Sequence, residues 1–401
     1  MERNPADRRP TYPVRAERTV LQVLPKLGSG GVERGTVEIA RALAAAGWRP
    51  LVAAEPGRLE GALTAAGGRL VALPLASKNP LVMARNARRL ARLVRAEGVD
   101  LVHARSRAPA WSARFAAASC GRPFVTTFHG VYGGAGNPLK RRYNAVMAAG
   151  ARVVAISEHV ADHVRRVYGV DDARLRVVHR GVDLAAFAPA AVSPGAVAAA
   201  RAAWGLPTGA KAVLLVGRLT RLKGHLDLLA AVARLARADL HLVAAGPFAP
   251  TDRYVAEVRA AAAALGLGER LHLVGAVDDM TTAYAAADVV ACPSRMEAFG
   301  RVSIEAQAMG RPVVVHRVGG LPETLIEGRT GWSVEPGDPA GLASALERAL
   351  AVAEGADPGF AARARAFVEG RYALSRMTGS TLEIYRELLG SAEAVAGAPT
   401  A

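Results

Sequence analysis

Short apolar runs rich in Val, Leu and Ala alternate along this chain with longer segments of helical periodicity. "RTVLQVLPKLG" (18–28) reads as a buried strand that ends in the Gly-rich turn "GSGG" (28–31). Residues 32–48 then place apolar positions at helical spacing and stop at a glycine. Further strands are predicted at 50–55, 69–75, 99–105, 123–130, 151–158 and 175–183, with helices over about 80–97 and 108–120. The strands are short and apolar on both faces, and helices fall between them. That pattern predicts parallel sheets covered on both sides.

The Ala- and Pro-rich stretch "FAPAAVSPGAVAAA" (187–200) interrupts the series, which then restarts. Strands are predicted at 212–219, 240–247, 271–277, 288–294, 312–320 and 331–336. Helices are predicted at 225–236, 252–264, within "VSIEAQAMG" (302–310), and at 338–353, 358–369 and about 374–388. The fold class expected is α/β, with two tandem Rossmann-like, doubly wound domains. We expect a tail over residues 1–16, a first domain over 17–186, a linker over 187–210, a second domain over 211–373 and a flexible tail over 391–401. In such sheets ligands sit beyond the carboxyl ends of the strands.

Composition narrows this picture. The 401 residues suit two domains, and 51% hydrophobic with 21% charged residues suits a water-soluble chain. No apolar run is long enough to span a membrane, and no signal-peptide pattern follows the basic start, so a cytoplasmic location is expected. Two cysteines, Cys120 and Cys292, make no disulfide framework. The net charge of +16 is uneven: residues 1–200 carry 30 Lys and Arg against 14 Asp and Glu, whereas residues 201–401 carry 21 of each. Either Arg-rich composition or an anionic partner of the first half accounts for that.

Five places carry candidate chemistry. The turn "GSGG", with Gly30 and Gly31 before a helix, is either an anion site or a tight structural turn. It lacks the dinucleotide spacing, because Glu33 stands where a third glycine would be. Arg218 and Lys223 in "VGRLTRLKGH" follow a strand and precede a helix, where two cations can hold a diphosphate or simply be solvated. "SRMEAFGRVSIEAQAMG" (294–310) places Glu297 in a loop and Glu305 about one turn into a helix, with Phe299, Gly300, Arg301 and Val302 between. The plain alternative there is a dipole-favoured glutamate and a solvated one. His129 ends the strand "TTFHG", and His103, Arg105 and Arg107 end "VDLVHARSR". Finally, Arg85, Arg88, Arg89, Arg92 and Arg95 recur at helical spacing, with Leu81, Leu90, Leu93 and Val94 available for packing. Such a helix is either ordinary surface or a face for an anionic membrane. No Cys/His cluster has metal-ligand spacing, and no nucleic-acid-binding motif is found.

Taken together, "GSGGVER", "TTFHG", "VVAIS", "VGRLTRLKG", "AADVVACPSRMEAFG", "EAQAMGRPVV" and "VGGLPETLIEGRTGW" resemble the retaining nucleotide-sugar glycosyltransferases of family 4, collinearly over residues 18–390. The resemblance implies the GT-B fold: two domains facing a central cleft, with a C-terminal helix near 374–390 crossing back to complete the first. It implies that Arg218 and Lys223 hold the donor diphosphate, that Glu305 binds the ribose hydroxyls, and that Glu297 contacts the donor sugar. Backbone groups at Phe299, Gly300, Arg301 and Val302 would support sugar and phosphate. Gly30 and Gly31 would approach the phosphate, and His129 would meet the donor sugar. Catalysis would fall to Glu297 and His129, with no metal and no cofactor beyond a UDP- or GDP-sugar co-substrate. "HARSR" and "FHGVYGG" are similar to the branch acting on bacterial envelope glycans. This implies a glycan or glycolipid acceptor of lipopolysaccharide-core or exopolysaccharide type, no nucleic acid, and an enzyme at the inner membrane face. His103, Arg105, Arg107, Arg85, Arg89 and Arg92 would lie on the acceptor or membrane side. One departure is Arg180, where many relatives carry Asn before "GVD". The alternatives are a nucleotide-sugar epimerase of the same fold and a non-enzymatic polyanion-binding protein.

Overall fold

The computed structural model of the chain describes residues 18–133 and 136–396, with side chains up to residue 390. The tails expected at 1–16 and 391–401 lie outside the described residues, except that the backbone of 391–396 ends the last helix.

Among the described residues the strands form two sheets. The first contains β1 (Thr19–Lys26), β2 (Arg49–Glu55), β3 (Arg69–Ala72), β4 (Leu101–Ala104), β5 (Phe124–Phe128), β6 (Arg152–Ala155) and β7 (Leu175–Val177). Its spatial order is β3-β2-β1-β4-β5-β6-β7. The second contains β8 (Lys211–Val216), β9 (Leu240–Ala245), β10 (Leu271–Gly275), β11 (Val289–Cys292), β12 (Val313–His316) and β13 (Gly331–Val334), in the order β10-β9-β8-β11-β12-β13. All five of its pairings are parallel. This is the doubly wound order, which reverses direction between β8 and β11 and opens a crevice beyond their carboxyl ends. The first sheet reverses in the same way between β1 and β4.

The apolar strand sequences follow from burial on both faces. Along β8, Val213 and Leu215 enter one core with Leu228, Leu346 and Phe360. The alternating Ala212 and Leu214 enter the other, with Tyr284, Met309 and Leu321. β11 divides likewise, Val289 and Ala291 to one side and Val290 and Cys292 to the other. A period of two with no polar side leaves solvent no face of the sheet. Each fully buried Val or Leu contributes roughly 1.5–3 kcal/mol, so the strands are fixed well enough to aim the loops that leave them.

Tertiary contacts gather the chain into two compact units. One holds the residues up to Thr126, Ala149–Ala151 and those from Tyr385 on; the other holds Thr127–Ala148 and Arg152–Ile384. The last helix, Leu374–Ala396, therefore begins in the second unit and ends in the first. The stretch read as a linker contains a helix of its own, Pro194–Ala203, capped by Ser193 Oγ on the Ala196 amide at 3.1 Å. The strand expected over 175–183 is only Leu175–Val177, because the chain then turns and Val182 bridges to Ala373. Arg180, in that turn, is buried.

Candidate functional site

The second sheet brings its candidate residues to its switch point. β8 leads to Gly217, Arg218 and, within the 3-10 turn Arg221–Lys223, to Lys223. Gly217 has φ +148, and a Cβ there would stand 2.9 Å from Lys223 Cε. The missing side chain at Gly217 is what lets the lysine stem lie across the backbone. Arg218 is exposed. β11 leads to the loop 293–300, and the helix Arg301–Ala308 begins there. Gly300 caps that helix at φ +126, with Leu321 Cδ2 2.6 Å from where a Cβ would be. The first-turn amides of a helix have no intrahelical acceptor, so those of Arg301 and Val302 point out of the helix start.

Both glutamates are engaged. Lys223 Nζ donates to Glu297 Oε2 at 2.7 Å, and Ser294 Oγ lies 3.4 Å from the same oxygen. Glu305 is only 6% exposed; Tyr284 OH donates to its Oε2 at 2.9 Å and Arg301 Nε to its Oε1 at 3.2 Å. The plain reading of the second glutamate as solvated therefore fails for Glu305. Burial pushes the Cys292 thiol up to about 12, with Lys223 lowering it and Glu297 and Glu305 raising it. The buried thiol at the end of β11 thus lies within the field of all three charges. Burial, and then the charge of Glu305, hold the Tyr284 hydroxyl well above its ordinary value, so it remains a donor at any working pH.

A supporting shell fixes the Glu297 loop, and none of it was read from the sequence as part of the site. The Gly320 amide donates to the Glu297 carbonyl at 3.1 Å, and Ser157 Oγ donates to the Ala298 carbonyl at 2.6 Å. Glu323, three residues beyond Gly320, accepts from the Glu158 and His159 amides at 2.9 and 2.8 Å and lies 3.4 Å from His179 Nε2. Burial raises the Glu323 carboxyl, but His179 and the two amides outweigh it and hold it below its ordinary value. Phe299 is a core residue, edge-on to Tyr372 at 5.4 Å, so only its backbone faces the site loop. His129 is half-buried after β5, and a Cβ on the adjacent Gly130 would come 3.8 Å from Ala298 Cβ. His129 therefore stands beside the same loop.

The first unit holds the remaining candidates. Gly30 caps the helix Gly31–Ala45 at the end of β1, and a Cβ there would meet Glu33 Oε2 at 2.6 Å. His103 and Arg105 do not face a surface, as an acceptor or membrane role for their side chains requires. They are 1% and 3% exposed. His103 Nδ1 shares a hydrogen bond with Tyr385 OH at 2.6 Å, and Arg105 Nη1 donates to Gln22 Oε1 at 3.0 Å. Burial, then the Arg105 charge, keeps the His103 ring well below its ordinary range and so neutral. Their physical role is to tie the last helix and β1 to β4. Arg107 is half-buried in the first turn of the helix Arg107–Ser119, and Arg85, Arg89 and Arg92 are exposed on the helix Pro80–Ala96.

The arrangement in the second unit offers cations and outward amides for an anion and two anchored carboxylates for hydroxyls. Known proteins are similar to the chain in sequence and fold. Residues 29–186 match the family model described as Glycosyltransferase Family 4, and residues 210–351 match the one described as Glycosyl transferases group 1. A crystal structure of a glycosyltransferase from Rickettsia africae ESF-5 is similar at 34% identity and TM-score 0.86, over 93% of this chain and 99% of that one. Anabaena HepE in complex with UDP-glucose shares the fold, at 22% identity and TM-score 0.79, over 92% of this chain and all of that one. A D-inositol 3-phosphate glycosyltransferase of Mycolicibacterium gilvum is 40% identical over 220 residues, 53% of this chain and 46% of that protein. The chain spans about half the length of the curated relatives it matches first. On the two family matches and the full-length likeness to the Rickettsia protein, the chain belongs to glycosyltransferase family 4.

Proposed function

We propose that this protein is a retaining, metal-independent glycosyltransferase that moves a sugar from a nucleotide-sugar to a hydroxyl group of a cell-envelope glycan or glycolipid. The observation that carries the reading is the Lys223–Glu297 ion pair beyond β8 and β11, with Glu305 buried on the helix that follows β11. Glu305 takes the ribose hydroxyls of a UDP- or GDP-sugar. Arg218, Lys223 and the amides of Phe299, Gly300, Arg301 and Val302 take the diphosphate. Glu297 takes the sugar hydroxyls, with His129 beside them, and Gly30 and Gly31 approach the phosphate. The enzyme works at the cytoplasmic side of a membrane, and the boundaries 17–186 and 211–373 are its two domains.

In the reaction the bond from the anomeric carbon to the diphosphate oxygen breaks and the diphosphate leaves with the electron pair. The acceptor oxygen bonds to the same carbon from the same face, and its proton passes to the leaving phosphate. Lys223, Arg218 and the helix start stabilise the charge that develops on that phosphate. Lys223 Nζ donates to Glu297 Oε2 at 2.7 Å. Each side chain thus orients the other toward the proposed donor.

A second acceptor reading is favoured by the relatives named D-inositol 3-phosphate glycosyltransferase: an inositol phosphate in place of the envelope glycan. The test incubates the protein with UDP-, GDP- and ADP-sugars, each with lipopolysaccharide-core acceptors or with inositol phosphate, and reads products by NMR. Transfer with retained anomeric configuration supports the reading, and the productive acceptor chooses between the two. Conversion of the donor alone to an epimer would replace it.

A further inference from the structure

The most one-sided surface of the molecule lies on the first unit. Its residues 61–126 carry eleven Lys and Arg, of which Arg105 alone is buried, and only two acids, Glu97 and Asp100. Both acids are engaged: Glu97 pairs with Arg49 at 3.2 Å and Arg69 at 2.7 Å, and the Asp100 carboxylate accepts from the Thr19 amide at 2.8 Å. Arg-rich composition alone does not explain the imbalance, because residues 201–401 carry 21 cations and 21 acids.

Two helices concentrate it. Pro80–Ala96 and Arg107–Ser119 run parallel and side by side, since Ser112 Oγ donates to the Met83 carbonyl at 2.9 Å and Arg95 Nη2 to the Ser119 carbonyl at 3.3 Å. Their inner faces are buried through Leu90, Val94, Ala113 and Ala116. Outward, Arg85, Arg88, Arg89, Arg92 and Arg95 form one exposed stripe, and Arg114 is exposed on the neighbouring helix. Arginines three and four apart repel one another, and this stripe has no glutamate to offset that. Such a face is more stable against an external anion than in water. It also shows apolar groups that an ordinary solvated face would not: Leu81, placed for packing in the sequence reading, is 71% exposed, and Phe115 is 63% exposed.

We infer that this helix pair is a docking face for an anionic lipid bilayer. The arginines meet lipid phosphates, while Leu81 and Phe115 enter the boundary between headgroups and acyl chains. The apolar pair favours a bilayer over a soluble polyanion, which has no apolar layer to receive it. The inference rests on the lipid-borne acceptor of the reading above, but its test involves no sugar transfer.

The test is co-sedimentation of the full chain with vesicles of phosphatidylcholine alone, or with one-third phosphatidylglycerol, at low and high salt. Binding is expected only to the anionic vesicles. Arg85→Gln, Arg89→Gln and Arg92→Gln together should weaken it by on the order of 100-fold, taking about 1 kcal/mol for each charge near the surface. Leu81→Ala with Phe115→Ala should leave low-salt binding and lose the part that survives high salt. The changed residues are exposed, and an unchanged melting temperature confirms folding. No binding to anionic vesicles, equal binding to neutral ones, or indifference to the arginine changes overturns the inference. Equally tight binding to single-stranded DNA, with the Leu81 and Phe115 changes silent on vesicles, overturns it in favour of a polyanion. A protein that sediments with anionic vesicles but transfers no sugar would keep this inference and lose the preceding one.

Discussion

Tyr284→Phe isolates one atom of the site. The hydroxyl donates to Glu305 Oε2 at 2.9 Å from a fully buried ring. The substitution removes that oxygen and changes nothing else in shape. A hydrogen bond to a charged group contributes roughly 1.5–3 kcal/mol, and the carboxylate keeps Arg301 Nε at 3.2 Å. We expect a loss of about 2 kcal/mol in the second unit, which lowers the melting temperature by roughly 4–8 °C at 2–4 °C per kcal/mol. Glu305 is then free to turn about its remaining partner. If it grips the ribose, UDP binding weakens about tenfold, the equivalent of 1.4 kcal/mol. The preference for UDP over 2′,3′-dideoxy-UDP shrinks with it, since that preference resides in the hydroxyls. Calorimetric titration of both nucleotides into both proteins reads these quantities. A variant with the lower melting temperature but an undiminished preference would refute the placement of Glu305 at the ribose. One with neither change would refute the hydrogen bond itself.

Three further substitutions probe the packing. Glu323→Gln should slow transfer chiefly through kcat, because Glu323 anchors the segment whose Gly320 amide holds the Glu297 carbonyl; an unchanged kcat would show that the loop is held without it. Its folded carboxyl is held below the ordinary value of 4.5, so its contribution to stability is complete above about pH 4.5 and is lost as pH falls through the lower folded value. Denaturation midpoints measured from pH 6 down to pH 3 should therefore fall less steeply in the variant than in the parent protein. Gly300→Ala puts a side chain at φ +126 against Leu321 and should cost about 1–3 kcal/mol, read as a lower denaturant midpoint. Tyr385→Phe leaves the buried His103 ring without its 2.6 Å partner and should cost about 1–3 kcal/mol, with faster amide exchange in the last helix as the specific sign.

Much of the fold was legible because burial on both faces writes itself into the strands. Runs such as "AVLLV" and "DVVAC", bounded by turn residues, suit a covered parallel sheet; β11 falls within the segment expected, and β8 starts one residue before its own. The candidate loops could be placed for the same reason, since they follow those strands. The partners of the site residues were not. Tyr284 sits in the seven-residue helix Met280–Ala286, and its apolar neighbours mark only the side that packs. Nothing in that periodicity says that its hydroxyl meets a carboxylate 21 positions on. Glu323 in "GGLPET" reads as a turn residue, yet its partners are amides some 164 positions away. The same limit explains His103 and Arg105. Both end a strand, as binding residues do, but whether such a side chain faces a ligand or the interior depends on Tyr385 and Gln22, which arrive from elsewhere in the chain.

The central claim is that Lys223, Glu297 and Glu305 bind one nucleotide-sugar. It is tested most directly by titrating the UDP-sugar or GDP-sugar that raises the melting temperature of the parent protein into Lys223→Ala and Glu305→Ala. The account predicts binding weakened at least tenfold in each, with the free nucleoside losing affinity only in Glu305→Ala. A nucleotide-sugar bound equally well by all three proteins would contradict it.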